Sequence, residues 1–190
     1  MLSGKSTTLL ARLKRAELAG KSVIAFKPSF DDRYSETEVV SHDGEKREAI
    51  VLKDHLDAIK VVLDEEPEVV GFDEAQFFAS DLQLTARVIA SLGTRVILAG
   101  LSSDFTGTPF PTMRELFGFA DNVTNVFAVC NQCGADATKT QRVLDGVEVT
   151  TGETYLVGGQ DCYEARCPSC FVWPSSTLES FENLTKVYSR

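Results

Sequence analysis

The stretch Glu68-Val69-Val70-Gly71-Phe72-Asp73-Glu74 (EVVGFDE) decides how this chain is read. An apolar run with so little polar alternation is expected of a strand covered on both faces of a parallel sheet. It ends in two carboxylates, at the carboxyl edge where open α/β sheets bind ligands. Working outward, helical spacings occur at Leu9, Leu10 and Leu13, at Leu56, Ile59 and Leu63, and at Leu82, Thr85, Val88, Ile89 and Leu92. Between or after them stand further apolar runs, SVIAF (22–26), RVILAGL (95–101) and NVFAV (125–129). This alternation predicts an α/β fold with a mostly parallel, doubly wound sheet and helices on both faces.

The chain opens MLSGKSTTLL, and Gly4-Lys5-Ser6 ahead of a leucine-bearing helix matches the end of the G-x-x-x-x-G-K-[ST] phosphate loop. By itself the tripeptide reads better as a glycine turn before a surface helix. The strand ending at Asp73 changes that, because P-loop enzymes place a Mg²⁺-associated carboxylate there. Backbone N–H groups of Ser3, Gly4, Lys5, Ser6 and Thr7 would then surround the phosphates of ATP, with Lys5 reaching the terminal ones and Ser6 ligating Mg²⁺. Glu74 could take a proton from an attacking oxygen, whether of water or of an alcohol. The motif's first glycine and its feeding strand would precede Met1, so a start upstream of Met1 is expected.

After NVFAV the texture changes. Cys130-x-x-Cys133 and Cys167-x-x-Cys170, separated by a hairpin-sized insert, have the spacing of two knuckles gripping one zinc ion. Four thiolates leave zinc no open position, so the ion would be structural. The insert holds a strand KTQRVL (139–144), an Asp145-Gly146 turn signal and VEV (147–149). Cys162 falls outside the pattern, and His42 and His55 read as surface or capping residues. The domain expectation is a nucleotide-binding unit at 1–129, a β-rich zinc-binding lid at 130–173 and a tail at 174–190, with a short helix possible around Leu178, Phe181 and Leu184. The formal net charge of −9 over 190 residues opposes nucleic-acid or anionic-membrane partners. No export signal or spanning run is visible, so a cytoplasmic location is expected.

With these pieces in order, the sequence resembles the cytosolic, zinc-containing type of thymidine kinase, to about Trp173. The stretches MLSGKS, FKPSFDDRYS, FDEAQFF, DFTGTPF, AVCNQC and VGGQDCYEARCPSC carry the resemblance. It implies a P-loop kinase fold with a zinc lid, and transfer of the ATP γ-phosphate to the thymidine 5′-hydroxyl. Glu74 matches the general base. Asp73 and Gln76 lie in the nucleotide and Mg²⁺ segment, and Asp31 and Arg33 match residues near the phosphates. Met1, Phe77, Leu101, Phe105 and Phe110 match positions around base and sugar. Thr140 and the backbone of Val157, Gly158 and Gly159 match a loop that reads the thymine edge, and Tyr163 a sugar-side contact. Ser102 departs from the family, which usually has an aspartate there. The resemblance further implies a homotetramer and feedback inhibition by dTTP. Two other readings stand beside it: a P-loop ATPase in which Glu74 activates water, and a zinc-ribbon binding module on an inactive P-loop domain.

Overall fold

The computed structural model describes residues 2–29, 38–40, 44–154 and 162–180. They divide into two compact units, one made of Gly4–Ser102 and Pro109–Val126, the other of Met1–Ser3, Ser103–Thr108 and Phe127–Arg190.

The first unit is built on the apolar run around Gly71. Helix α1 (Lys5–Leu18) precedes β1 (Val23–Pro28), a hairpin of β2 (Glu38–Val40) and β3 (Lys46–Glu48), then β4 (Ile50–Leu52) and α2 (Asp57–Glu65). Strand β5 (Val69–Phe72), a 3-10 turn (Ala75–Phe77), α3 (Leu82–Ser91), β6 (Arg95–Leu98) and α4 (Pro111–Phe119) complete it. The strands form a parallel sheet ordered β4-β1-β5-β6, in register Phe26 opposite Phe72 and Phe72 opposite Leu98.

Alternation along the strands sends side chains to two buried faces. Ala25 and Val69 pack with Leu9 and Leu13 of α1. Phe26, Val70 and Phe72 pack on the other side with Ala58 and Val62 of α2, Leu82 and Ile89 of α3, and Met113 and Leu116 of α4. The Phe26 and Phe72 rings lie 4.9 Å apart, and full burial of each such side chain contributes about 1.5–3 kcal/mol. Gly71 has a packing reason. A Cβ there would stand 2.7 Å from Leu13 Cδ1 and 3.1 Å from Leu9 Cδ1, so an added methyl would force these leucine side chains of α1 to shift.

Three expectations change. NVFAV does not join the parallel sheet: only Ala128–Val129 is strand (β7), it pairs antiparallel with β8 (Asp136–Ala137) in the second unit, and Phe127 and Val129 are exposed. The buried face of α2 is set by Ala58 and Val62, which meet the sheet, while Leu56 and Leu63 point to solvent. His55 is buried rather than on the surface, its Nδ1 on Thr85 Oγ1 at 2.8 Å and its Nε2 on Asp81 Oδ1 at 2.9 Å. His42 lies outside the described residues.

The second unit is a three-stranded antiparallel sheet, β10 (Val147–Val149), β9 (Lys139–Leu144) and β11 (Tyr163–Arg166), in the order β10-β9-β11. The Asp145-Gly146 turn closes the β9–β10 hairpin as expected, with φ +50° and +77°. Residues 175–180 are helical, which takes in Leu178 of the short helix expected there, while Phe181 and Leu184 lie outside the described residues. No helix among the described residues is long and apolar enough to cross a membrane.

Candidate active site and metal centre

In the first unit Ser6 meets Asp73, and Glu74 meets Gln76, at the start of α1 and the end of β5. Gly4 takes the left-handed conformation at φ 72°, ψ 27° and turns the chain into α1 without a side-chain cap, and no acidic residue occupies the first turn. The helix thus begins with backbone N–H groups suited to an anion. Thr8 closes the turn by donating its backbone N–H and its hydroxyl to Gly4 O, each at 2.8 Å. From the first turn Ser6 Oγ reaches the end of β5 and donates to the Asp73 carboxylate at 2.9 and 3.2 Å. Ser3 precedes the turn, half-buried.

Asp73 is 5% exposed. Burial pushes its carboxyl up to about 6, the neighbouring Glu74 charge pushes the same way, and the Ser6 hydroxyl, a backbone N–H and the Lys5 charge pull against them. Such a carboxylate is poorly solvated until a cation joins it.

Glu74 leaves the strand in the left-handed region, φ 47°, ψ 43°, where a side chain costs about 1–2 kcal/mol. The strained residue swings the chain into the 3-10 turn and leaves its carboxylate half-buried. Buried Gln76 donates Nε2 to Glu74 Oε2 and accepts the Leu101 N–H on Oε1 at 2.9 Å. Gln76 therefore ties the acidic turn to the chain that follows β6. A Cβ on Gly100 would intrude there, 2.9 Å from Gln76 Oε1 and 2.7 Å from Met113 Sδ. Phe77 and Phe110 meet edge-on with ring centroids 6.3 Å apart. Ser102, the departure from the family pattern, is exposed and its carbonyl accepts the Phe110 N–H at 3.1 Å.

In the second unit the four expected cysteines come together, their sulfurs all within 4.8 Å of one another and Cys133 Sγ 3.6 Å from Cys167 Sγ. Ligands about 2.3 Å from a tetrahedral zinc stand about 3.8 Å apart, so the donor set is compatible with a structural zinc. For Cys130, burial opposes ionisation, but N–H groups of Cys167, Gln132 and Cys133 outweigh it and bring the thiol down to about 6. Hydrogen bonds with Cys167 and Cys133 push Cys170 up to about 12. Asn131, missed in the sequence reading, ties the first knuckle to β11, which leads into the second: its N–H donates to Ala165 O and its Oδ1 accepts the Ala165 N–H, both at 2.9 Å. Its position inside C-x-x-C was the available signal.

Of the nucleoside-side residues in this unit, Phe105 is buried, Thr140 is buried in β9, and Tyr163 opens β11 half-buried. Arg142, buried two residues beyond Thr140 on β9, was also missed, although residues two apart on a strand share a face. Met1, Asp31, Arg33, Val157, Gly158 and Gly159 lie outside the described residues. Cys162 is half-buried, a free thiol like the other four.

A family model described as thymidine kinase matches residues 1–171 of the 190. That span includes the Gly4-Lys5-Ser6 turn, the acidic end of β5 and all four cysteines, whose cluster fits the zinc-containing type. The chain therefore belongs to the thymidine kinase family.

Proposed function

We propose that this chain transfers the γ-phosphoryl group of ATP to the 5′-hydroxyl of thymidine, giving dTMP and ADP. The observation that carries the reading is the Ser6 hydroxyl on the Asp73 carboxylate, with Glu74 as the next residue. Lys5, with the N–H groups of Ser3 to Thr7, holds the β- and γ-phosphates. Ser6 and Asp73, with Gln76 nearby, are suited to a Mg²⁺ ion, which would offset charge on the phosphates. Glu74 takes the 5′-hydroxyl proton as that oxygen attacks phosphorus, and the bond to the β-phosphate oxygen breaks. Asp31 and Arg33 act beside the phosphates, where Arg33 balances charge on the transferred group.

Met1, Phe77, Leu101, Phe105 and Phe110 pack about base and sugar. Thr140 and the backbone of Val157, Gly158 and Gly159 read the thymine edge, and Tyr163 contacts the sugar. Zinc on Cys130, Cys133, Cys167 and Cys170 is structural and fixes the ends of that segment. Cytoplasmic placement, a homotetramer and inhibition by dTTP complete the reading, and the net charge of −9 favours small-molecule over nucleic-acid partners.

The test is γ-labelled ATP with and without thymidine. Label appearing in dTMP supports the kinase. Phosphate release independent of nucleoside would make Glu74 an activator of water, and no consumption of ATP at all would leave a zinc module on a silent phosphate loop.

A further inference from the structure

Arg142 is 2% exposed, yet among the described residues no carboxylate pairs with it. Its guanidinium lies over the Phe105 ring, 3.6 Å from the centroid, and 5.3 Å from the centre of the Tyr163 ring. Nη2 and Nε donate to Tyr163 Oη at 2.7 and 3.2 Å, and Nη2 also donates to Thr154 O at 3.3 Å. One side chain thereby joins β9, β11, the 103–108 segment and the chain at Thr154. Burying a guanidinium is an expensive way to fill space, since an apolar side chain would pack there more favourably.

Phe105 is presented to it by a tightly built turn. Asp104 Oδ1 accepts from Thr106 N, Thr106 Oγ1 and Thr108 N at 2.8, 2.6 and 3.0 Å. Gly107, at φ +82°, packs so close to Trp173 that a Cβ would meet its ring at 2.8 Å. The turn is fixed at its base, and Arg142 fixes the aromatic ring at its tip. At Tyr163 the consequence is chemical. A phenol oxygen that already accepts two guanidinium N–H groups has its own O–H left to donate.

We propose that Arg142 is a positioning residue for the nucleoside. It clamps Phe105 as a platform and sets Tyr163 as a hydrogen-bond donor toward an acceptor oxygen of the substrate. The inference rests on the thymidine kinase reading given above.

The experiment compares Arg142→Lys, Tyr163→Phe and the double variant with the wild-type protein, measuring zinc content and KM for thymidine and for ATP separately. Lysine keeps the charge but loses the planar fork and the stack. The expected result for R142K is zinc retained at one per chain, KM for ATP within two-fold of wild type, and KM for thymidine raised roughly 10- to 100-fold, the size of a lost charge-assisted hydrogen bond. The double variant should be little worse than the worse single one, because both changes act through the same Tyr163 hydroxyl. Thymidine KM unchanged in R142K, equal rises for ATP and thymidine, or loss of zinc in both R142K and Y163F would overturn the positioning role while leaving the kinase reading intact. A wild-type protein that makes no dTMP would overturn both.

Discussion

Replacing Asp73 by Asn should make the ligand-free protein more stable and the enzyme worse. The carboxyl has moved from its ordinary 3.8 to about 6, mainly through burial. At about 1.36 kcal/mol per pH unit, ionising it inside the fold costs about 3 kcal/mol more than ionising it in the unfolded chain. At 5% exposure solvent does little to screen this. The folded state holds the proton more tightly, so wild-type stability is unpenalised below about pH 4, falls between about pH 4 and 6, and stays reduced above. An asparagine amide oxygen still accepts the Ser6 hydroxyl and carries no charge to desolvate. The assay is thermal unfolding of wild type and D73N across pH 3.5–8, without nucleotide or Mg²⁺. D73N should gain up to roughly 6–12 °C at pH 7.5, at about 2–4 °C per kcal/mol for a chain of this size, with the gap closing toward pH 4. The same variant should lose most of its kinase turnover. A D73N protein melting at or below wild type at pH 7.5, or a gap independent of pH, would refute the reasoning.

Other perturbations probe separate parts of the molecule. Glu74→Gln should retain ATP and thymidine affinity and lower turnover by roughly two to four orders of magnitude, as loss of a general base does, and near-normal turnover would remove its assignment. Cys167→Ser should release the metal, and unchanged zinc content by elemental analysis would refute the four-sulfur site. For the wild type, zinc affinity should fall with decreasing pH through the neutral range, where protons compete for the Cys170 sulfur, and more steeply below about 6, where they compete for the Cys130 sulfur as well. Gly107→Ala pits a methyl against Trp173 at 2.8 Å in a positive-φ position, so it should destabilise the fold by about 1–3 kcal/mol and shift the emission of the single tryptophan. An unaltered spectrum would contradict that packing.

What the sequence made legible follows burial. Strand β5 is fully buried, so its run of apolar residues announced itself, and the leucines of α1 lie where their spacing put them. The four cysteines were plain from spacing alone, because two C-x-x-C pairs need only converge. Edge elements were harder. Strand β4 is the apolar run Ile50-Val51-Leu52, but at three residues with two exposed it is too short to display a period. NVFAV misled because an apolar run does not say whether its partner is a long sheet or a two-residue ladder beside a metal knuckle. The left-handed turn at Glu74 had no local signature, since glycine or asparagine is the usual occupant. Arg142 was hidden by chemistry, as arginine in a hairpin strand ordinarily faces water. Only the placement of Phe105 and Tyr163 explains its burial.

The segment Ser103–Thr108 lies in sequence between β6 and α4 yet folds with the metal-bearing unit. That unit is therefore not a cassette. A gene fragment starting at Phe127 would lack the ring that covers Arg142 and the glycine that abuts Trp173, leaving a bare guanidinium and an uncovered indole. Exchange between relatives would have to carry two separated stretches together, so a substitution inside DFTGT should be tolerated only alongside a matching change in the hairpin.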